Sequence, residues 1–520
     1  MVFFKRRLSS ILEILLLYSK NSQKIAMRTN EKKQFHLGDI PISDIEIDIR
    51  SRDDIPALLL GLQHVNNDKQ ALGEIFAILE DECTTETSRT QGRPGMSLWN
   101  ILVFAVLRLN LNSDYDRIQE LANNHIIIRQ MLGHGNIFEA DFRYGLQTIK
   151  DNVNKLSDKT ICQINSIVVG CGHDFVGMQE GDILRGRADS FVLETNVDFP
   201  TDVKLTLDAL RNAIRIIVDL CNFFEFDGWR EHKSIVRKIK KLGKKVHGAN
   251  RAKPKSDKGK QKKEKSVQDA YKKFITNAIN CIAKIESTLA TFPASDVISA
   301  PRIAEIKMFV GFARLQNDQM YRRIFQGEKI SNDEKIFSVF EEYTEWINKG
   351  KAGVPVELGV KVCILEDQHG FILHHRVMQN EVDSGIAVEF IKDAQKCFPA
   401  LKMCSFDKGF HSPTNQKELS ELLPVLCVLP KKGKRTKDET EREQQPEFVK
   451  ARHQHSAVES AINALEVHGL DCCPDRGLDR FYNYVALGVL GRNLHLLGCK
   501  IRDKARKEAQ EKAKKLRRAA

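Results

Sequence analysis

Strand-like sequence occurs once in the middle of this chain and then stops. "DILRGRADSFVLETNVDF", residues 182–199, sets Ile183, Leu184, Phe191, Val192 and Leu193 around Asp189. Helical periodicity follows, over roughly 203–224, 267–292, 301–325 and 333–347, and strand texture returns only at Val356. A lone strand cannot satisfy its own backbone donors and acceptors. The helical block is read as an insertion between this strand and the strands that follow Val356. At 520 residues the chain exceeds one ordinary core, so two or three domains are expected.

After Val356, "VELGVKVCILEDQHGFILHHRVMQN" reads as two strands joined at Asp367–Gly370, a hairpin signal. Asp383 and Ser384 cap a helix over Gly385–Cys397, which Pro399 stops. "LKMCSF" is another strand, ending on Asp407, Lys408 and Gly409, with the glycine letting the backbone turn away. A helix follows from Ser412-Pro413 to Leu422, then the strand in "LPVLCVLP", then helices in "HSAVESAINALEVHG" and "RFYNYVALGVLGRNLHLLG". With the block excised, this order is that of a ribonuclease-H-like α/β fold with a mixed sheet. Open α/β sheets of that kind carry chemistry near strand ends at a crossover crevice.

The expected layout is a catalytic domain over 179–202 and 352–498, with a helical insertion over 203–351. The insertion carries a flexible basic loop at 230–265, and a second basic loop runs from Lys431 to Arg442. Residues 499–520 form a basic tail, read as a helix projecting into solvent. Thr201 and Asp202 read as a helix start, and Glu194 and Asn196 as support for Asp189.

Residues 27–178 read as an all-α domain. Ile45, Ile47 and Ile49 alternate with acids in a half-exposed strand or extended arm. A helix is expected over Ser97–Leu109, introduced by Gly92, Pro94 and Gly95. A second opens at Ser113 with Asp116 as a variant capping box, and a third ends at Gly133. Three short helices suit a helix-turn-helix DNA reader and equally a small bundle. Residues 1–26 imitate a signal peptide, but Glu13 interrupts the apolar segment and no small-residue cleavage site follows. They are read as a non-native or disordered extension with Met27 the start, giving a cytoplasmic product without a membrane span.

The net charge of +12 and pI near 9.0 favour a polyanionic partner. The twelve cysteines contain no C-x-x-C and several lie in apolar runs, which points to buried thiols over zinc or disulfides.

Asp189 on the first strand, Asp407 after "LKMCSF" and Glu459 within "HSAVESAINALEVHG" have comparable strand-end or helix addresses. Two metal ions roughly 3.5–4 Å apart need carboxylates converging from different elements to activate a nucleophile and stabilise a leaving oxygen at a phosphate. Oxygen ligands without Cys or His pairs point to two Mg²⁺ ions, with Mn²⁺ as a substitute. His455 and Glu459 are four apart, with Arg452 a turn before and Asn463 a turn after, making one polar helical stripe. Lys408, His411 and Asn415 beside Asp407 are further candidate phosphate or base contacts, and a plain surface role is open for each.

"GRPGMSLWNILVFAVLRLNLNSDYDRIQELANNH", "ADSFVLETNVDFPTD", "CSFDKGFHSPTNQ" and "RHQHSAVESAINALEVHGLD" resemble bacterial insertion-sequence transposases of the DDE type, most nearly the ISNCY group. The resemblance runs from about Met27 to Gly498. It implies that Asp189, Asp407 and Glu459 are the metal-holding catalytic triad of a nuclease and polynucleotidyl transferase. It also implies Mg²⁺-dependent cleavage at the terminal inverted repeats of an element, then transfer of the freed 3′-OH into target DNA. A homodimer or larger oligomer would hold two ends together on the bacterial nucleoid. One departure stands: relatives with a Tyr, Arg, Glu, Lys signature differ here, where Arg452, His455 and Glu466 occupy the Tyr, Arg and Lys positions. The alternatives are a catalytically inactive DNA-binding derivative and a nucleic-acid-binding scaffold.

Overall fold

The computed structural model describes residues 29–30, 39–83, 95–135, 141–292, 299–348 and 355–519. The expected extension at 1–26, Met27, Gly92 and Pro94 lie outside them. The chain is mixed α/β with a mixed seven-stranded sheet, and it divides into two compact units, 1–194 with 360–520 and 195–359.

In the first unit the early helices are α1 (Asp54–Asn67), α2 (Lys69–Cys83), α3 (Leu98–Asn110), α4 (Tyr115–Asn124), α5 (Ile126–Met131), α6 (Leu146–Val153) and α7 (Asp158–Val176). Ser97 caps α3, close to the expected helix start, but the second helix is capped one residue late, by Asp114 accepting from the Arg117 N–H. Ser113 instead donates to the Leu111 carbonyl. Helix α3 is buried on all sides except at Asn100, so it is a core helix rather than an amphipathic one. The segment before α1 makes a 3-10 turn over Ile42–Asp44 and forms no strand over residues 39–53, with Ile45 buried and the Ile42 and Ile45 carbonyls accepting from Gln63.

The sheet follows. Strand β1 (Leu184–Thr195) leads into the second unit, whose helices are α8 (Asp202–Phe223), α9 (His232–Arg251), α10 (Asp257–Leu289) and α11 (Ser299–Phe325). Strand β2 (Glu345–Asn348) then pairs antiparallel with the start of β3 (Val356–Glu366). Back in the first unit, β3 pairs antiparallel with β4 (Ile372–Met378). Next come α12 (Asp383–Cys397), β5 (Leu401–Phe406), α13 (Pro413–Leu422), β6 (Leu426–Val428), α14 (Lys437–Gln444), α15 (Pro446–Gln454), α16 (Ala457–Leu465), β7 (Cys472–Cys473) and α17 (Leu478–Ala519). The order across the first unit's sheet is β4-β3-β1-β5-β6, with β7 on β1 and with β1, β5 and β6 parallel.

Three expectations are corrected. The basic tract at 230–265 is not one loop: α9 fills most of it and the first turns of α10 its end, with a short connection over 252–256 between them. Ile239, Gly243 and Val246 recur at helical spacing and bury one side of α9, which outweighs the charge density. Residues 333–347 are not a helix, because aromatic Trp346 and β-branched Ile347 pair across to Leu358 and Glu357. The second basic loop is half helix, since Thr436 and Glu439 form a complete capping box that starts α14.

The early helices share a unit with the sheet because α17 packs along α1 and α7. At the crossing with α1, a Cβ on Gly498 would run into the Ala57 carbonyl, and one on Gly61 into the Leu494 carbonyl. Edge strand β4 is closed by two buried amides: Asn493 accepts from the Ile372 N–H at 2.9 Å, and Asn493 and Asn165 both donate to the Ile372 carbonyl. That satisfies backbone groups an edge strand otherwise leaves open. All twelve cysteines are free thiols. Among the described residues no helix is long and apolar enough to cross a membrane.

The glycine crossing predicts that Gly498→Ala destabilises by about 1–3 kcal/mol through overpacking. Gly73→Ala, on α2 with open space around it, should instead be neutral or stabilise by about 0.5–1 kcal/mol. Urea unfolding midpoints followed by circular dichroism check both signs.

Candidate active site

Strands β1 and β5 run parallel with Ala188 opposite Phe406, so the next residue on each is a carboxylate, Asp189 and Asp407. Asp189 lies within β1, half-buried, and accepts the Ser190 N–H at 2.7 Å. Asp407 is exposed one residue past β5 and caps a short turn, Lys408–Phe410, through the Gly409 N–H. Phe406 and Phe410 are buried with ring centroids 5.6 Å apart, anchoring the turn. Gly409 has no left-handed φ, so the turn does not need a glycine for its backbone; Gly409 lies against the Asp383 carboxylate.

Glu459 is exposed on α16 and belongs to the same electrostatic neighbourhood. Burial pushes the Asp189 carboxyl up to about 6, the Ser190 hydrogen bond opposes this, and the charges of Asp407, Asp383 and Glu459 add to it. Asp407, Asp383 and Glu459 thus all lie close enough to act on Asp189. Among the described residues, however, no group of three His, Cys, Asp or Glu side chains is close enough to hold one metal ion. Asp189, Asp407 and Glu459 share a field here without forming a closed three-ligand cage.

Asp383 is the residue that sequence reasoning missed, having been read only as a helix cap. It is the first residue of α12, and Val382 holds the cap position. Its carboxylate accepts from Ser190 Oγ at 2.6 Å and pairs with Lys361 Nζ at 3.1 Å. Its signal in the sequence was its place between a strand and a crossover helix, the same address as Asp407.

His455 sits at the break between α15 and α16, where tightened hydrogen bonds from Val458 to His455 and Glu459 to Ser456 replace the expected continuous helix. Its Nδ1 is 3.0 Å from Ser405 Oγ on β5, while its buried Nε2 has no protein partner among the described residues. Burial lowers its pKa, Asp407 and Glu459 raise it, and Arg187 lowers it, which places the ring among the acids. The other expected contacts divide. Asn415 is buried and donates to the Ser384 and Phe410 carbonyls at 2.7 and 2.8 Å, tying the Asp407 turn to the start of α12. It positions the acids and has no spare donor for DNA. His411 interacts electrostatically with Lys431, Arg442, Glu439 and Glu443 rather than with the triad. Lys408, Arg452 and Asn463 are exposed. Thr201 caps α8 through the Lys204 N–H, and Asp202 pairs with Arg323, as a helix start requires.

In chemical terms this is a set of hard oxygen donors, with Asp383 already neutralised by Lys361 and Asp189 left uncompensated. The donor type fits a hard divalent cation. The raised Asp189 pKa also gives a stability test. A folded-state pKa above the ordinary value near 3.8 makes ionised Asp189 cost stability as pH rises through about 6. Asp189→Asn should therefore be more stable than the parent by on the order of 2 kcal/mol at pH 7.5, with the difference vanishing below about pH 4. Unfolding midpoints at the two pH values measure it. No family model, no curated protein and no solved structure matches this chain.

Proposed function

We propose that this chain is a DDE-type DNA transposase with a ribonuclease-H-like core. The observation that carries the reading is the parallel β1–β5 register, which sets Asp189 beside Asp407 with Glu459 acting on the same carboxyl group. The sheet order β4-β3-β1-β5-β6, interrupted between β1 and β3 by a helical unit with its own core, is compatible with such a catalytic domain. Helices α3–α5 are the candidate helix-turn-helix reader of duplex DNA, and the protein would work on the nucleoid as a dimer or larger assembly.

Asp189, Asp407 and Glu459 are the side chains that would hold Mg²⁺, or Mn²⁺ in its place. When bound, the divalent ions supply Lewis-acid activation of the nucleophile and charge stabilisation at the leaving oxygen. The protein's own contributions are distinct. Asp189 must be ionised to ligate, which its raised pKa makes dependent on pH. Asn415 and the Phe406–Phe410 pair fix the backbone that carries Asp407. His455, anchored through Nδ1 to Ser405, packs beside Asp407 and Glu459 and helps position them. In the first step, water attacks a phosphodiester at the element end and displaces a 3′-oxygen, which leaves as a 3′-OH. In the second, that 3′-OH attacks a target phosphodiester, forming one P–O bond and breaking another in line.

The test is strand cleavage by the purified chain of a duplex carrying the DNA that flanks its gene, with Mg²⁺. Asp189→Asn, Asp407→Asn and Glu459→Gln are each expected to lower cleavage by at least about 100-fold while leaving gel-shift binding intact. Cleavage that survives Asp407→Asn sinks the assignment. Binding without cleavage by the parent chain favours the inactive, DNA-binding alternative.

A further inference from the structure

The charge of this protein is not spread over its surface. Residues 230–265 hold sixteen lysines and arginines against three acids, a net of +13, whereas the whole chain carries +12. The rest of the molecule sums to near neutrality, and apart from the basic tail at 499–520 its strongest run of positive charge is the α9–α10 hairpin of the second unit.

The hairpin is ordered, and its charge is sorted by face. On α9, Ile239, Gly243 and Val246 are buried, with Ile235, Val236 and Leu242 packed partly beside them. A Cβ on Gly243 would approach Val203 Cγ1 to 2.9 Å, so the helix is seated closely on α8. Lys233, Arg237, Lys240, Lys241, Lys244 and Arg251 recur at intervals of three, four and seven on the opposite side, and all six are exposed. Arg230 and Lys260 pair with acids of their own neighbourhood, but none of these six forms an ion pair with a described residue. A stripe made only for solubility would intersperse acids at i+4 spacing, as salt-bridged surface helices do. Here cations are held in register and left available.

We infer that the exposed face of α9 is a docking surface for the phosphate backbone of duplex DNA, independent of base sequence. The stripe from Lys233 to Arg251 is about 27 Å long at 1.5 Å per residue, matching about eight base pairs at 3.4 Å each. Lysine- and arginine-dominated contact of this kind positions a duplex without reading it. The choice of duplex DNA as partner rests on the proposed function; the surface itself rests on the hairpin.

The experiment uses the full-length chain and a fluorescent 30-base-pair duplex of arbitrary sequence in EDTA, so that cleavage plays no part. One variant carries Arg237→Gln, Lys240→Gln, Lys241→Gln and Lys244→Gln. A charge-matched control carries Lys329→Gln, Lys392→Gln, Lys417→Gln and Lys450→Gln, all exposed. The stripe variant is expected to bind on the order of 100-fold more weakly at moderate salt, with the log–log salt slope reduced by about 3–4, and the control to stay within about threefold of the parent. Equal loss in both variants, or loss in neither, overturns the proposal. Stripe-dependent binding to anionic lipid vesicles that exceeds binding to the duplex overturns it in favour of a membrane surface. Because carboxylate variants are not used, the result stands apart from the failure or success of the cleavage assay.

Discussion

The parallel pairing of β1 with β5 is the constraint on which the rest of this protein depends. Two parallel strands cannot be joined by a tight turn, and here the connection contains an entire second unit as well as β3, β4 and α12. A Cβ at Gly186 would come within 2.8 Å of Leu365 Cδ1 and crowd Leu401 and Cys404, so a side chain there would require those side-chain ends to shift. A slip of one residue would send Leu184 and Ala188 to the wrong face and turn Asp189 away from Asp407. The hydrophobic core and the acidic site are thus specified by the same alignment.

That alignment has an electrostatic cost which the fold relieves only in part. Asp383 receives a lysine and a serine hydroxyl, and elsewhere in the unit Arg108 holds Asp475 in a two-pronged ion pair. Asp189 receives one backbone N–H and three acidic neighbours. A protein selecting only for stability would neutralise such a group or replace it, because a half-buried carboxylate among like charges disfavours the folded state. Perturbed carboxylates of this kind concentrate at functional sites, which is the ground on which the proposed function treats Asp189 as a working residue.

What the sequence disclosed was what periodicity and local chemistry can encode. The interrupted strand order, the hairpin at Asp367–Gly370, the Thr201 cap and the strand-end position of Asp407 were all readable, since each is written within a few residues. The errors came from partners distant along the chain. Charge density masked the Ile239, Gly243 and Val246 stripe that makes α9 a helix. The apparent helical period at 333–347 yielded to pairing of Trp346 and Ile347 across β3. Asn415 looked like a surface amide because its two acceptors, the Ser384 and Phe410 carbonyls, become neighbours only in the folded chain. The union of the early helices with the sheet hung on Gly61 and Gly498, two residues that carry no pattern by themselves.

The distribution of charge bears on how such a site could bind its substrate. Four acids in one neighbourhood repel phosphate, so by itself the site opposes binding of a polyanion. Under the proposed function, affinity has to come from elsewhere on the molecule, and it must be insensitive to the sequence being cut or joined, since element end and target DNA differ. The α9 stripe meets both requirements: its cations are exposed, and backbone contacts carry no sequence information. If both proposals hold, attachment and chemistry are separated, and the acids can keep an electrostatic environment suited to a cation while affinity for DNA comes from the stripe.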